Sequence, residues 1–235
     1  LFLCDPSRDL PRALADPFWR GYFDWDFPYA QARAQFSAMD PILKEAAAFA
    51  PGIHILNQDP WEALCCFIIS QNNNIKRIKG IVQRLCSCLG EPIPSSDCFS
   101  FPSPQRLATA TLEELEPLRC GFRAKYLLDA ARRVSSGQVQ LDAIPQMPLE
   151  QARAHLMQIV GVGPKVADCA LLYGFHRLEC CPMDVWMKRV FAALYPNGLP
   201  DCAQDFIGIA QQYLFHYARC CPQILEAPEK EAALV

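Results

Sequence analysis

Residues Val160-Gly161-Val162-Gly163-Pro164-Lys165 set a lysine directly behind a Gly-x-Gly-Pro turn. Pro164 suits the first position of a helix, so Lys165 falls in a first turn, where the positive end of the dipole costs an ammonium about 0.3–1 kcal/mol. The same dipole, with partial burial, favours the neutral amine that a Schiff-base nucleophile requires. A solvated lysine that bears this small penalty is the plain alternative. Asp184 follows nineteen positions later in Pro182-Met183-Asp184-Val185-Trp186. It reads equally as the N-cap of a helix over 185–194 or as a carboxylate that accepts protons and stabilises developing positive charge across from Lys165. The two roles are compatible.

The turn that carries the lysine joins two helical segments into a helix–hairpin–helix unit at about 149–174. Two glycines permit positive φ and close approach to a ligand. The N–H groups of Val162, Gly163, Lys165 and Val166 are expected to converge on a backbone anion site, which holds a phosphate without reading sequence. A tight helix–helix turn used for packing alone has the same residues. No strand precedes it, so the dinucleotide-binding fingerprint fails.

The elements that position these groups are helical. Asp59-Pro60-Trp61-Glu62 combines an N-cap, a proline and an acid in a first turn, and Ser103-Pro104, Met147-Pro148 and Gly163-Pro164 repeat the proline theme. Helical periodicity follows over 61–71, 75–89, 122–134, 149–159, 164–173, 184–194 and roughly 204–219, with Gly90 and Gly137 where C-caps belong. Only LFLC at 1–4 and IHIL at 53–56 could pass as strands. The fold expected is all-α. The expected organisation is an N-terminal remnant at 1–21, a helical core at 22–222 and an acidic tail at 223–235.

Composition narrows the function. The 235 residues carry a net charge of −3, which argues against indiscriminate coating of nucleic acid. The distribution is uneven. Lys76, Arg77, Lys79 and Arg84 occur without an acid between Asn72 and Gly90, and Arg119, Arg123, Lys125, Arg132 and Arg133 accompany Asp129 alone. Such runs fit local grip on a polyanion, or simply solvated helix faces. Thirteen cysteines include three adjacent pairs and no C-x2-C spacing, so most are read as small buried hydrophobes. Neither a zinc site, an iron–sulfur cluster nor any other cofactor is expected. No apolar run reaches the roughly 18 residues of a membrane span, and no secretory signal is visible, which points to an intracellular protein. Residue 1 is Leu, as in a processed chain or a fragment.

At the hairpin lysine and the downstream Pro-x-Asp, the sequence resembles the helix–hairpin–helix DNA glycosylases, and more closely the 8-oxoguanine DNA glycosylase/lyases. The resemblance runs through FIISQNNNIKRIKGIVQRL at 67–85, GFRAKY at 121–126, GVGPKVADCALL at 161–172, PMDVWMKRV at 182–190 and AQQYLFHYAR at 210–219. It implies two helical subdomains flanking an active-site cleft, and flipping of a damaged guanine out of duplex DNA. By this resemblance Lys165 attacks C1′ and forms an imine, after which β-elimination nicks the strand, while Asp184 assists displacement. Cys169 and Phe215 stack on the flipped base and Gln211 bonds its Watson–Crick edge. Asn72 fills the gap, Arg77 and Arg123 contact the orphaned cytosine, and Phe122 wedges into the duplex. Without the resemblance, Cys169 and Phe215 read as ordinary core and one of the three asparagines as a cap. The i to i+4 spacing independently sets Lys165 and Cys169 on one helix face.

Two departures stand out. Trp186 occupies a position where some relatives have a phosphate-contacting histidine. The resemblance also begins near Tyr22, so the N-terminal β-domain of full-length members is expected to be absent, with some loss of damage discrimination. The partner expected is duplex DNA with oxidised guanine opposite cytosine, bound by a monomer without a membrane. A glycosylase for another damaged base, and a noncatalytic helix–hairpin–helix DNA-binding module, are the alternatives. The combination of Lys165 with Asp184 separates an enzyme from the latter.

Overall fold

In the computed structural model, which describes residues 15–94 and 96–225, the secondary structure is helical apart from one isolated bridge between Pro92 and Phe99. In chain order the α-helices are α1 (Pro17–Tyr22), α2 (Tyr29–Met39), α3 (Pro41–Phe49), α4 (Pro60–Ser70), α5 (Ile75–Leu89), α6 (Pro104–Ala108), α7 (Arg123–Ser135), α8 (Leu149–Leu156), α9 (Pro164–Gly174), α10 (Val185–Leu194) and α11 (Ile207–Cys220). The fold class is all-α, as the periodicity predicts. The LFLC stretch and the acidic residues beyond Leu225 lie outside the described residues.

The chain divides into two compact units. The unit Gln58–Arg177 contains α4 to α9. In it α4 packs on α9, α5 and α7, burying Leu64, Ile68 and Ile69 with Leu127, Ala167 and Leu171. Trp61 Nε1 reaches the carbonyl of Pro102 at 2.9 Å, satisfying the ring's one donor inside the core. The other unit takes the described residues up to Asn57 and resumes at Leu178, so that α1 to α3 fold with α10 and α11. There Phe36, Leu43, Tyr213 and Leu214 are fully buried, and Tyr29 stacks on His54 at 4.2 Å between ring centres. Both parts follow from the same rule: each helix buries one apolar stripe against its neighbours.

Helix starts are set locally. Asp16, Asp40, Asp59, Asn74, Ser103 and Asp184 each accept an N–H from the first turn of the helix that follows. Proline opens α1, α3, α4, α6 and α9, where its missing N–H removes an orphan donor. Pro148 differs slightly from expectation, because it occupies the N-cap of α8 instead of its first turn. That helix also stops at Leu156, three residues early, since the N–H of Ile159 turns back to Leu156 at 3.1 Å and begins the hairpin. The last helix starts at Ile207 because Asp201–Phe206 forms a 3-10 segment.

One expectation changes in detail. The 53–56 segment pairs with no strand among the described residues: Ile55 N–H donates to the Tyr29 hydroxyl at 2.7 Å and Asn57 N–H to Tyr22 O at 2.9 Å. At the end of α5, Gly90 is the C-cap, as its position predicts, but with φ −83°, so glycine is required there by closeness. A Cβ there would lie 2.0 Å from Ser100 O and 2.6 Å from Cys86 O. Gly137, by contrast, follows α7 with φ +76°, where glycine relieves left-handed strain. Gly90→Ala is expected to destabilise by about 1–3 kcal/mol. Calorimetry should show a fall of about 2–4 °C per kcal/mol for a chain of this size; an unchanged melting temperature would mean that the 90–100 connection yields freely.

Candidate active site

The hairpin of the 58–177 unit is clamped from below. Arg153 on α8 donates Nε to Asp168 Oδ1 on α9 at 2.7 Å and also pairs with Glu150. Asp168 is 8% exposed, so an unpartnered carboxylate there would be costly. Burial pushes its carboxyl above the usual range, and the Arg153 guanidinium pulls the other way. At the hairpin's entrance, Asp129 Oδ2 on α7 accepts the N–H of Val160 at 2.7 Å and the Nε of Arg133 at 2.8 Å. Gly161 has φ +82°, and a Cβ on it would lie 2.3 Å from the Tyr126 ring. Glycine is thus required there by both conformation and contact.

The second glycine acts differently. Gly163 has φ −93° and open space where a Cβ would stand, so only Gly161 uses the left-handed region. The anion-site reading also loses one donor: Val162 N–H is taken by Ile159 O at 3.0 Å. The N–H groups of Gly163, Lys165 and Val166 have no acceptor among the described residues, as expected for a helix start without a side-chain cap. The Val162 and Val166 side chains are buried, which leaves their backbone to do any binding.

Lys165 lies half-buried at this turn, with Nζ 5.9 Å from the centre of the Phe67 ring. Among the described residues it pairs with no carboxylate. Phe67 in turn stacks on Tyr173, 5.5 Å between ring centres. Cys169, one turn along α9, is 5% exposed. An amine beside an aromatic wall, above buried helix, is in a setting of reduced hydration.

A second cluster in the same unit surrounds the asparagine run. Asn74 caps α5 through Arg77 N–H at 3.0 Å, and Asn73 Nδ2 bonds back to Ile69 O at 3.0 Å. The side chain of Asn72 is left exposed on a residue with φ +46°. Arg77 is exposed, and Phe122 is 51% exposed with its ring edge-on to Tyr126 at 5.5 Å. Arg123 is enclosed in this structure. It is 2% exposed and its guanidinium donates to three carbonyls: Gln71 O, Asn72 O at 2.9 Å and Cys120 O at 3.2 Å.

The remaining expected residues belong to the other unit. Asp184 Oδ1 accepts Met187 N–H at 2.8 Å, so the capping role is present, and Oδ2 has no partner among the described residues. Gln211 on α11 is 3% exposed; its Nε2 reaches Pro182 O at 3.4 Å, joining α11 to the segment that leads into Asp184. Phe215, one turn beyond Gln211, is half-buried under the guanidinium of Arg219 at 5.5 Å. Trp186 is covered similarly by Arg189 at 4.9 Å.

Sequence reasoning passed over Arg153, Asp168, Phe67 and Tyr126. A lone acid among apolar residues in 164–174 was the available sign of a buried ion pair, whereas nothing local marks Phe67 or Tyr126.

A clamped helix–hairpin–helix with a lysine in the second helix's first turn, followed by a capped Pro-x-Asp, defines a class. The chain belongs to the HhH-GPD superfamily of base excision DNA repair proteins, whose model matches residues 65–200. Within it the similarity is to the 8-oxoguanine type: the model of the 8-oxoguanine DNA glycosylase N-terminal domain matches residues 3–64, so that likeness reaches further back than the Tyr22 start read from motifs. The N-glycosylase/DNA lyase of Saccharomyces cerevisiae is 41% identical over 165 residues, 64% of this chain and 44% of that protein. The chain therefore spans about half the length, or less, of that curated relative. The solved structure of MBOgg1 in complex with a low affinity DNA ligand is 42% identical, with a TM-score of 0.80 over 90% of this chain and 76% of that one. The Clostridium acetobutylicum 8-oxoguanine glycosylase/lyase, solved with dsDNA containing cytosine opposite 8-oxoG, is 34% identical with a TM-score of 0.78 over the same shares.

Arg153→Met should destabilise by about 3 kcal/mol at neutral pH, because it strands a buried carboxylate. The Asp168 carboxyl already titrates above its unfolded range, and losing Arg153 removes the interaction that lowers it. Its neutral form then favours the folded state at acid pH and the benefit is lost as pH rises through the folded value. The difference from wild type in urea titrations should accordingly shrink as pH falls toward the carboxylate range. A constant difference would assign the loss to packing.

Proposed function

We propose that this chain removes 8-oxoguanine from duplex DNA and cleaves the resulting sugar through a Schiff base on Lys165. The observation that carries the reading is Lys165 itself: an amine with no carboxylate partner among the described residues, set between the donor-rich start of α9 and the Phe67 ring. The N–H groups of Gly163, Lys165 and Val166 would hold a backbone phosphate, bringing C1′ within reach of Nζ. Nζ attacks C1′, the N-glycosidic bond breaks with its electron pair leaving on the base, and ring opening gives the imine. Removal of a C2′ proton then expels the 3′ phosphate by β-elimination.

Asp184 would take up protons and stabilise positive charge as the glycosidic bond stretches. Cys169 and Phe215 would stack on the extruded base, with the Gln211 amide on its Watson–Crick edge. Phe122, exposed at the N-cap of α7, supplies the wedge, and Asn72 with Arg77 faces the gap and the orphaned cytosine. Residues 22–222 form the working core of a monomer that acts inside the cell on double-stranded DNA with cytosine opposite the lesion. No described helix is long and apolar enough to cross a membrane.

Borohydride trapping of wild type and Lys165→Ala on duplexes holding 8-oxoguanine opposite cytosine, an abasic site or undamaged guanine tests this. The expected result is a covalent adduct with the oxidised and abasic duplexes that vanishes in the variant. An adduct with the abasic duplex alone would leave the lyase step and overturn base recognition by this chain. No adduct with any duplex would overturn the enzymatic reading in favour of a binding module.

A further inference from the structure

Neighbouring positions on an α-helix point about 100° apart, so adjacent side chains do not ordinarily meet. Gln211 and Gln212 on α11 are an exception: Gln212 Nε2 donates to Gln211 Oε1 at 2.5 Å. Gln211 Nε2 in turn donates to the carbonyl of Pro182 at 3.4 Å. Gln211 is buried, on a helix whose Ile209, Ala210, Tyr213 and Leu214 are buried too, so neither end of its amide is left to bulk water. The two bonds define which end is which. A main-chain carbonyl can only accept. If the Gln211 amide turned over, Oε1 would face the Pro182 carbonyl, and its NH2 would face the NH2 of Gln212 unless that amide turned as well. One orientation satisfies both contacts, and the other sets at least one pair of like groups face to face.

An amide oxygen has two lone pairs and its nitrogen two hydrogens, so each end of the Gln211 amide keeps one site for a ligand. The guanine edge presents an acceptor at O6 beside donors at N1 and N2, whereas the adenine edge presents a donor at N6 beside an acceptor at N1. An amide that cannot turn over pairs with one of these patterns and opposes the other. We propose that Gln212 is a positioning residue that fixes the polarity of the Gln211 amide and so makes base reading selective for a guanine edge over an adenine edge. This rests on the proposed function, in which Gln211 meets the edge of an oxidised guanine. Gln212 is itself half-buried and acts through its neighbour, with the Pro182 carbonyl holding the other end of the same amide.

Single-turnover excision from duplexes with 8-oxoguanine or 8-oxoadenine opposite cytosine tests the proposal, because the two bases share the oxidised C8–N7 side and differ along the Watson–Crick edge. Gln212→Leu removes the donor and should lower the ratio of 8-oxoguanine to 8-oxoadenine excision by about tenfold, the weight of one hydrogen bond. Gln212→Glu, which offers only acceptors, should lower it at least as far, and Gln212→Lys, which offers only donors, should hold it within about twofold of wild type. Cleavage of an abasic duplex, which has no edge to read, should be alike in all of these proteins. A ratio unchanged in Gln212→Leu and Gln212→Glu, or lowered equally in every variant, would overturn the proposal, as would a parallel loss of abasic cleavage, which marks a structural role. A wild type that excises neither base would refute the proposed function and leave the tie to a measurement on the free full chain. There the Gln211 side-chain amide, identified by its absence from the NMR spectrum of Gln211→Met, should exchange its hydrogens faster in Gln212→Leu than in wild type or Gln212→Lys. Equal exchange in Gln212→Leu and wild type would overturn the tie.

Discussion

The first turn of α9 keeps three backbone N–H groups without an internal acceptor, and much of the 58–177 unit can be understood as holding that turn still while leaving it open. Buried polar groups normally find partners, so a donor cluster survives only at a surface where water or a ligand can satisfy it. Rigidity must then come from behind. The Arg153–Asp168 pair joins the two helices, Asp129 fixes Val160, and Tyr126 fills the space under Gly161. None of these contacts involves the side chain of Lys165.

The basic residues have two physical fates. Lys76, Arg77, Lys79, Arg119, Lys125 and Arg132 are exposed, where they raise local potential for a polyanion. Arg84 and Arg123 instead satisfy backbone carbonyls at turns that contain left-handed residues, and Arg133 pairs with Asp129. A charge count treats all nine alike. Their division follows from distance to carbonyls that are far away in sequence, such as Arg84 to Leu118 and Arg123 to Gln71. The net negative charge of the chain is thus compatible with a local excess of exposed basic residues.

Much of the fold was legible because its signals are local. Proline at a first turn, an aspartate or asparagine before it and a repeating apolar stripe depend on neighbours within a few residues, and they located α4, α5, α7, α9 and α10 to within a residue or two. The errors came where a longer-range contact decided the outcome. Ile55 looked like part of a strand because β-propensity cannot reveal that its N–H goes to a tyrosine hydroxyl. Gly90 was legible as a C-cap, but spacing cannot reveal Ser100 closing over it.

By itself the sequence determined the helical character, the hairpin between α8 and α9, the lysine in a helix's first turn, and the capping role available to Asp184. All of these follow from short-range rules of backbone geometry and side-chain period. Tertiary structure alone decided that Gly161 needs positive φ while Gly163 does not, that Val162 spends no donor on a ligand, that Phe67 walls the amine, and that Arg123 is enclosed by carbonyls. Those outcomes depend on which atoms distant segments bring to within a few ångströms. A one-dimensional pattern lists the donors and acceptors but leaves their pairing to the packing that brings them together.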